Sequence, residues 1–117
     1  MFYTSYFANK KLKDFPLDRQ VSIALSPPPF FKGLRWDCFY PTSELLKSYK
    51  NKEIDEREYT LFYLENIVGK IDPIIFKNLG EIENYVLLCY ESPKAFCHRH
   101  IVRYWMNKAG IPCEELV

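Results

Sequence analysis

The chain has 117 residues, of which 26% are charged, and a formal net charge of +1. This length suits one domain with a single hydrophobic core, and we assign residues 1–117 to one domain. The balanced charge does not indicate a nucleic-acid partner, the first residues lack the pattern of a secretory signal, and no apolar run is long enough to cross a bilayer. We therefore expect a cytoplasmic protein with no membrane partner that binds a small ligand or another protein.

Four segments have the composition of β-strands, namely residues 2–7, 21–26, 85–90 and 113–116. Aromatic and β-branched residues dominate the first, and the prolines at 27–29 end the second. The third is a nearly unbroken apolar run, which is typical of a strand covered on both faces, so we expect helices on both sides of it. Residues 30–40 lack clean periodicity and are predicted to form a packed loop over one end of the sheet.

Helices are predicted from Pro41 to Tyr49, behind Asp55, from Asp72 to Gly80, and from Cys97 to Gly110. Asp55 and Glu58 have the spacing of a capping box in front of the longest helix. The order of these elements predicts an α/β fold, a small three-layer domain with a mostly parallel sheet flanked by helices. Aromatic residues make up 17% of the chain, so we expect most rings in the core and some tyrosine hydroxyls in a cleft.

Reactive side chains are concentrated where the third strand gives way to the last helix. Cys89 and Glu91 lie at the end of that strand, Pro93 predicts a turn over residues 91–94, and Cys97 and His98 begin the helix. Ligands of parallel α/β domains usually bind at the carboxyl ends of the strands. The sequence therefore predicts a functional site here.

The four cysteines, Cys38, Cys89, Cys97 and Cys113, lack the dense pattern of a secreted disulfide scaffold and are predicted to be free thiols. A thiol at a helix N-terminus has a lowered pKa, so Cys97 can act as a nucleophile, a redox sensor or a metal ligand. The alternative is that Cys97 is a small buried hydrophobic residue, and this applies more strongly to Cys89.

The charged neighbours of Cys97 also allow two interpretations each. His98 can meet Glu91 across the turn, either as an acid/base pair or as a structural tie between helix and strand. Arg99 and Arg103, one helical turn apart, can bind a phosphate or carboxylate, or can pair with acidic residues 114 and 115.

Three familiar motifs do not fit this pattern. The interval from Cys97 to Arg103 matches a phosphatase loop, but these residues are predicted to lie along a helix. No metal site is predicted, because Cys97 beside His98 is awkward for one tetrahedral ion, although Cys89, Cys97 and His100 can meet. No glycine-rich phosphate loop is present either, since none of the four glycines closely follows a strand.

Several segments carry a resemblance to a known family: YTSYFAN, SIALSPPPFFKG, KSYKNKEIDEREYTLFYLE, LLCYESPKAFCHRHIVRYW and CEEL. Together they resemble the family catalogued as domain of unknown function 488 (DUF488), in the subgroup found in bacteria and phages, over essentially the whole chain. The Cys-x-Glu followed by Cys-His-Arg is the most specific element. The resemblance implies a fold but no established activity. It implies these site residues: Cys89, Glu91, Cys97, His98 and Arg99, with Tyr3, Ser5 and Asn9 from the first strand and its loop.

Three hypotheses for function follow. The first is a domain that binds a small anionic ligand, of nucleotide or nucleobase type, through Arg99, Arg103, Cys89, Tyr3, Ser5 and Asn9. The second is an enzyme with Cys97 as the nucleophile and Glu91 with His98 as the acid/base pair. The third is a phage-encoded interaction or inhibitor protein without catalysis. No cofactor is assigned.

Overall fold

A computed structural model of the chain describes residues 1–91 and 95–116. Its centre is a five-stranded sheet in the order β3-β2-β4-β1-β5. The strands are β1 (Phe2–Tyr6), β2 (Gln20–Ser22), β3 (Leu34–Arg35), β4 (Tyr85–Cys89) and β5 (Cys113–Glu115). All four neighbouring pairs are parallel, with β4 between β1 and β2. The prediction of an α/β fold with a parallel sheet is confirmed.

The described residues form four α-helices, of which three lie between β3 and β4 and one between β4 and β5: α1 (Ser43–Lys50), α2 (Glu56–Asn66), α3 (Ile74–Ile82) and α4 (His98–Lys108). The predicted capping box in front of α2 is present, with Asp55 accepting from the Glu58 amide at 2.8 Å and Glu58 accepting from the Asp55 amide at 3.2 Å. These bonds satisfy amides that the first turn leaves unpaired. Within the described residues, no helix combines the length and the apolar character needed to cross a membrane.

The two faces of the sheet are covered differently. The buried apolar residues of all four α-helices form one core cluster with Phe2, Val21, Tyr85 and Leu87. A 3-10 helix (Lys10–Asp14) and loops cover the opposite face, where Leu12, Phe15 and Phe31 pack with Val86 and Leu88. Both faces of β4 are therefore buried, as predicted. In the part of the chain that the structure describes, no α-helix forms on this opposite face, because prolines interrupt the two segments that cover it, at residue 16 and at residues 27–29.

Two segments differ from their predicted form. The second strand ends at Ser22, where its hydroxyl accepts a hydrogen bond from the Ala24 amide at 3.2 Å and replaces the continuing ladder. The predicted loop at 30–40 contributes β3 and a 3-10 helix (Asp37–Phe39), and Phe39 is fully buried. Of the turn predicted at 91–94, residues 92–94 lie outside the described residues.

Candidate functional site

A pocket of about 240 Å³ opens at the carboxyl ends of β2 and β4. This is the edge at which parallel sheets usually bind ligands, because the loops that follow neighbouring strands converge there. Helices α1 and α2 and the start of α4 complete its walls. Its lining comprises Ala24, Leu25, Ser26, Pro41, Leu46, Tyr49, Tyr59, Cys89, Tyr90, Glu91, Phe96, Cys97 and His98.

One wall of the pocket is a cluster of three rings. Phe96 lies 5.1 Å from Tyr49 and 5.2 Å from Tyr59, and the two tyrosine rings are 5.6 Å apart, measured between ring centroids. Tyr59 is buried, which raises the pKa of its hydroxyl, and the charges of Glu91 and Tyr49 raise it further. The hydroxyl therefore stays protonated and can donate a hydrogen bond at neutral pH.

The structure joins Cys89 and Cys97 in a disulfide. The prediction that all four cysteines are free thiols is wrong for this pair, and it holds for Cys38 and Cys113. Cys89 is the last residue of β4 and Cys97 is the N-cap of α4. Both residues are buried and line the pocket, so the disulfide forms part of its inner wall.

His98 is buried beside the disulfide with a contact at each ring nitrogen. Its Nε2 lies 2.7 Å from the carbonyl oxygen of Ile23, and its Nδ1 lies 3.8 Å from Cys97 Sγ. A carbonyl only accepts, so Nε2 carries the proton and Nδ1 presents its lone pair towards sulfur. Burial lowers the pKa of His98 to about 4; the Ile23 hydrogen bond opposes this shift, and the charge of Arg99 adds to it. The imidazole is therefore neutral at pH 7.

The predicted contact between His98 and Glu91 is replaced by the contact with Ile23. Glu91 is exposed at the rim of the pocket, while His98 turns towards the β2 end. Burial favours this partner, since a neutral imidazole needs only a neutral acceptor. The acid/base role assigned to these two residues stays a prediction.

Arg99 is fully buried behind the pocket and is held on several sides. Its Nε and Nη2 donate to the Glu115 carboxylate at 3.1–3.3 Å, and Nη1 donates to the Glu91 carbonyl oxygen at 2.6 Å. The same Nη1 lies 3.1 Å from Cys89 Sγ. Thr4 donates to Glu115 at 2.6 Å from the neighbouring strand. The guanidinium thus ties the end of β4 to β5 and contacts a sulfur atom.

The remaining predicted ligand-binding residues lie away from the pocket lining. Tyr3 packs against Phe15 on the other face of the sheet, with ring centroids 5.7 Å apart. Asn9 donates to Ser5 at 2.9 Å and to the Leu116 carbonyl at 3.2 Å, which ties the end of β1 to the C-terminal segment. Arg103 lies one turn beyond Arg99 on α4 and is half-buried. The structure therefore gathers Cys89, Glu91, Cys97 and His98, and it leaves these four residues outside.

Sequence reasoning missed the walls of the pocket. Neither Tyr59 nor Phe96 was among the predicted site residues, although both line the pocket. One available signal was a large ring directly before a helix-start cysteine. The other was the high tyrosine content, which predicted hydroxyls in a cleft without saying which ones.

The donor atoms of Cys89, Cys97 and His98 all lie within 4.8 Å of one another. Among the described residues, this is the group of histidine, cysteine and acidic side chains close enough to share a metal ion. The third donor is His98 and not His100, which sequence reasoning had considered. These two histidines are two residues apart on α4 and therefore face different sides of the helix, and it is His98 that contacts the Cys97 sulfur atom.

The fold and site define a class of protein: a small parallel α/β domain with a cysteine pair and a histidine at the carboxyl edge of its sheet. The model of the family DUF488-N3a, described as the active DUF488-N3 subclade, matches residues 31–110. The chain belongs to this family. The matched segment contains Cys89, Glu91, Cys97, His98 and Arg99. No curated protein and no solved structure matches the chain significantly.

Proposed function

We propose that the pocket at the ends of β2 and β4 binds a small, flat ligand of the nucleobase type. The observation that carries this proposal is the ring cluster of Tyr49, Tyr59 and Phe96 beside a cavity of about 240 Å³. Sites for drug-sized ligands usually measure about 300–1,000 Å³, so this cavity suits a smaller molecule. Aromatic walls favour planar rings, and the Tyr59 hydroxyl, Ser26 and Glu91 supply hydrogen-bonding groups.

The residues that line the pocket favour a planar ring in the ligand, but they do not favour a negatively charged group. Among the described residues that line the pocket there is a carboxylate, Glu91, and neither lysine nor arginine. Arg99 was expected to bind the anion, but it is buried and already forms an ion pair with Glu115. We therefore propose an uncharged ring in the pocket, with any phosphate of a larger ligand projecting past Glu91 into solvent.

A thermal-shift series tests this proposal. We expect free nucleobases and nucleosides to raise the melting temperature saturably, because a ligand that binds only the folded state stabilises it. Inorganic phosphate alone should have no effect. Leu46→Trp, which adds bulk to a lining residue, should abolish the stabilisation, whereas Leu61→Trp, an exposed position on α2 outside the lining, should retain it. No stabilisation by any base or nucleoside, or equal stabilisation of both variants, would refute the proposal.

A second candidate function is cysteine-dependent chemistry on the bound ligand. It is favoured by the partners of the two sulfur atoms: Cys97 faces the lone pair of His98, and Cys89 contacts the Arg99 guanidinium. A cation and a hydrogen-bond donor both favour a thiolate, so in the reduced protein Cys89 is the better candidate for the charged sulfur. The description of the matched family as active agrees with a reaction in this pocket.

Alkylation of the reduced, chelator-treated protein tests the second candidate. Peptide mapping after iodoacetamide treatment should show Cys89 or Cys97 reacting faster near neutral pH than Cys38, which is exposed and serves as the internal control. If both site cysteines react more slowly than Cys38 at every pH, activated thiols are absent and this candidate fails.

A further inference from the structure

We propose that in the reduced protein Cys89, Cys97 and His98 bind a zinc-type divalent ion at the bottom of the pocket. Two thiolates and one imidazole are a donor set that Zn²⁺ prefers. All three residues are buried, and their donor atoms lie within 4.8 Å of one another. The inference does not rest on the identity of the pocket ligand.

The spacing of the donor atoms fits such an ion. With Zn–S and Zn–N bonds of about 2.3 and 2.05 Å at a tetrahedral angle, sulfur and nitrogen lie about 3.6 Å apart. The Cys97 Sγ to His98 Nδ1 distance is 3.8 Å. The Cα atoms of Cys89 and Cys97 are 7.4 Å apart, beyond the roughly 4.4–6.8 Å usual for disulfides. Once reduced, the two sulfur atoms thus have room to separate around an ion.

The partners of these donor groups are also those of a metal site. Metal-binding histidines generally donate the other ring N–H to a carbonyl or carboxylate, and His98 Nε2 donates to the Ile23 carbonyl. The lone pair at Nδ1 is thereby directed at the sulfur atoms. Cys89 Sγ accepts a hydrogen bond from Arg99 Nη1, and a charged donor of this kind stabilises a thiolate.

Charge balance supports the same assignment. Two thiolates neutralise a divalent ion, and Glu115 neutralises Arg99. A buried site with no net charge avoids the large cost of leaving an unpaired charge out of water. Binding releases two thiol protons to solvent, so affinity should increase with pH.

Three protein ligands would leave one position of a tetrahedral ion for water or a ligand, and all three of these residues line the pocket. Three protein ligands and one exchangeable position are the arrangement of catalytic rather than structural zinc. A ring nitrogen or an oxygen of the pocket ligand can occupy that position. Metal ligation would engage the lone pairs that nucleophilic use of Cys97 requires, so the two roles exclude each other.

Titration of the reduced full-length protein with Co²⁺, followed by competition with Zn²⁺, tests the inference. We expect one ion per chain and a visible spectrum of tetrahedral thiolate-bound cobalt that Zn²⁺ displaces. Cys89→Ser, Cys97→Ser and His98→Gln should each weaken binding at least about tenfold, because even the groups that orient metal ligands typically contribute 10–100-fold. The matched variants Cys38→Ser and His100→Gln should bind as the unaltered protein does.

A second measurement needs no variant and therefore does not depend on folding of the mutants. In the reduced protein, Zn²⁺ should protect Cys89 and Cys97 from iodoacetamide while Cys38 remains reactive. Absence of saturable Co²⁺ or Zn²⁺ binding would overturn the inference. Equal alkylation of Cys97 with and without Zn²⁺ would overturn it too and would favour a free nucleophilic thiol. Because no pocket ligand is present, failure here leaves the proposed ligand site standing.

Discussion

At the scale of single residues, the two buried polar side chains of α4 differ in what surrounds them. His98 is neutral because burial lowers its pKa by more than the Ile23 hydrogen bond raises it, while Arg99 lies beside the carboxylate of Glu115. The Arg99–Glu115 pairing was among the alternatives that the sequence left open. The Ile23 partner of His98 could not be predicted, because 75 residues separate them and a carbonyl has no sequence signature.

The burial of His98 predicts a specific loss of stability in acid. Its pKa is about 4 in the folded protein and about 6.5 when unfolded, so the unfolded state binds the proton first. The free energy of unfolding should therefore fall between about pH 6.5 and pH 4 by on the order of 3 kcal/mol from this group, at about 1.4 kcal/mol per pKa unit. Urea denaturation across this pH range measures it.

His98→Gln is the variant that isolates this contribution, since glutamine does not titrate. The readout is the change in unfolding free energy between pH 7 and pH 4, not its absolute value. We expect a clearly smaller change in His98→Gln than in His100→Gln, because His98 is the more deeply buried histidine. An unchanged pH dependence in His98→Gln would contradict a neutral buried imidazole.

The buried pair of Arg99 and Glu115 gives a second prediction at this scale. Glu115→Ala leaves a fully buried guanidinium without its counter-charge, and we expect a loss of about 3 kcal/mol in unfolding free energy. Glu114→Ala, on the same strand but exposed, should change stability by less than about 0.5 kcal/mol. Equal effects of the two substitutions in chemical denaturation would show that the pair does not stabilise the fold.

At the scale of secondary-structure elements, local signals predicted the helices better than the covering layers. The Asp55–Glu58 capping box and the apolar run of β4 act within a few residues, so the sequence reveals them directly. The end of β2 depends on a Ser22 hydroxyl that competes with the ladder, and the second face depends on loops that pack over long distances. These outcomes follow from tertiary contacts that short patterns do not contain.

Close packing of α3 against β1 predicts the effect of a substitution at Gly80. A Cβ there would lie 2.7 Å from Phe2 Cε2, and the Phe2 ring is fully buried. Alanine gains about 1 kcal/mol of helix propensity, but overpacking costs about 1–3 kcal/mol. We expect Gly80→Ala to lower the unfolding free energy by about 1 kcal/mol net, whereas Asn78→Ala, exposed on the same helix, should slightly raise it. A stabilised Gly80→Ala protein would show that α3 can move away from β1.

At the scale of the whole molecule, the parallel sheet explains why the site lies where it does. The pocket opens at the ends of β2 and β4 because parallel topology brings the carboxyl ends of neighbouring strands to one edge. It did not predict that Tyr49 and Tyr59, on two separate helices, would close the pocket from one side. Residues after β1 were expected there as well, but they tie the C-terminal segment to the sheet and lie outside the lining.

The proposed function places ligand binding in the pocket at the ends of β2 and β4. The most direct measurement is a ¹H–¹⁵N NMR titration of the protein with free nucleobases and nucleosides. We predict saturable chemical-shift changes concentrated at the lining residues, above all Ser26, Tyr49, Tyr59, Phe96 and His98, with little change at Tyr3, Asn9 and Arg103. Changes concentrated away from the pocket, or no saturable change with any ligand of this class, would contradict the account.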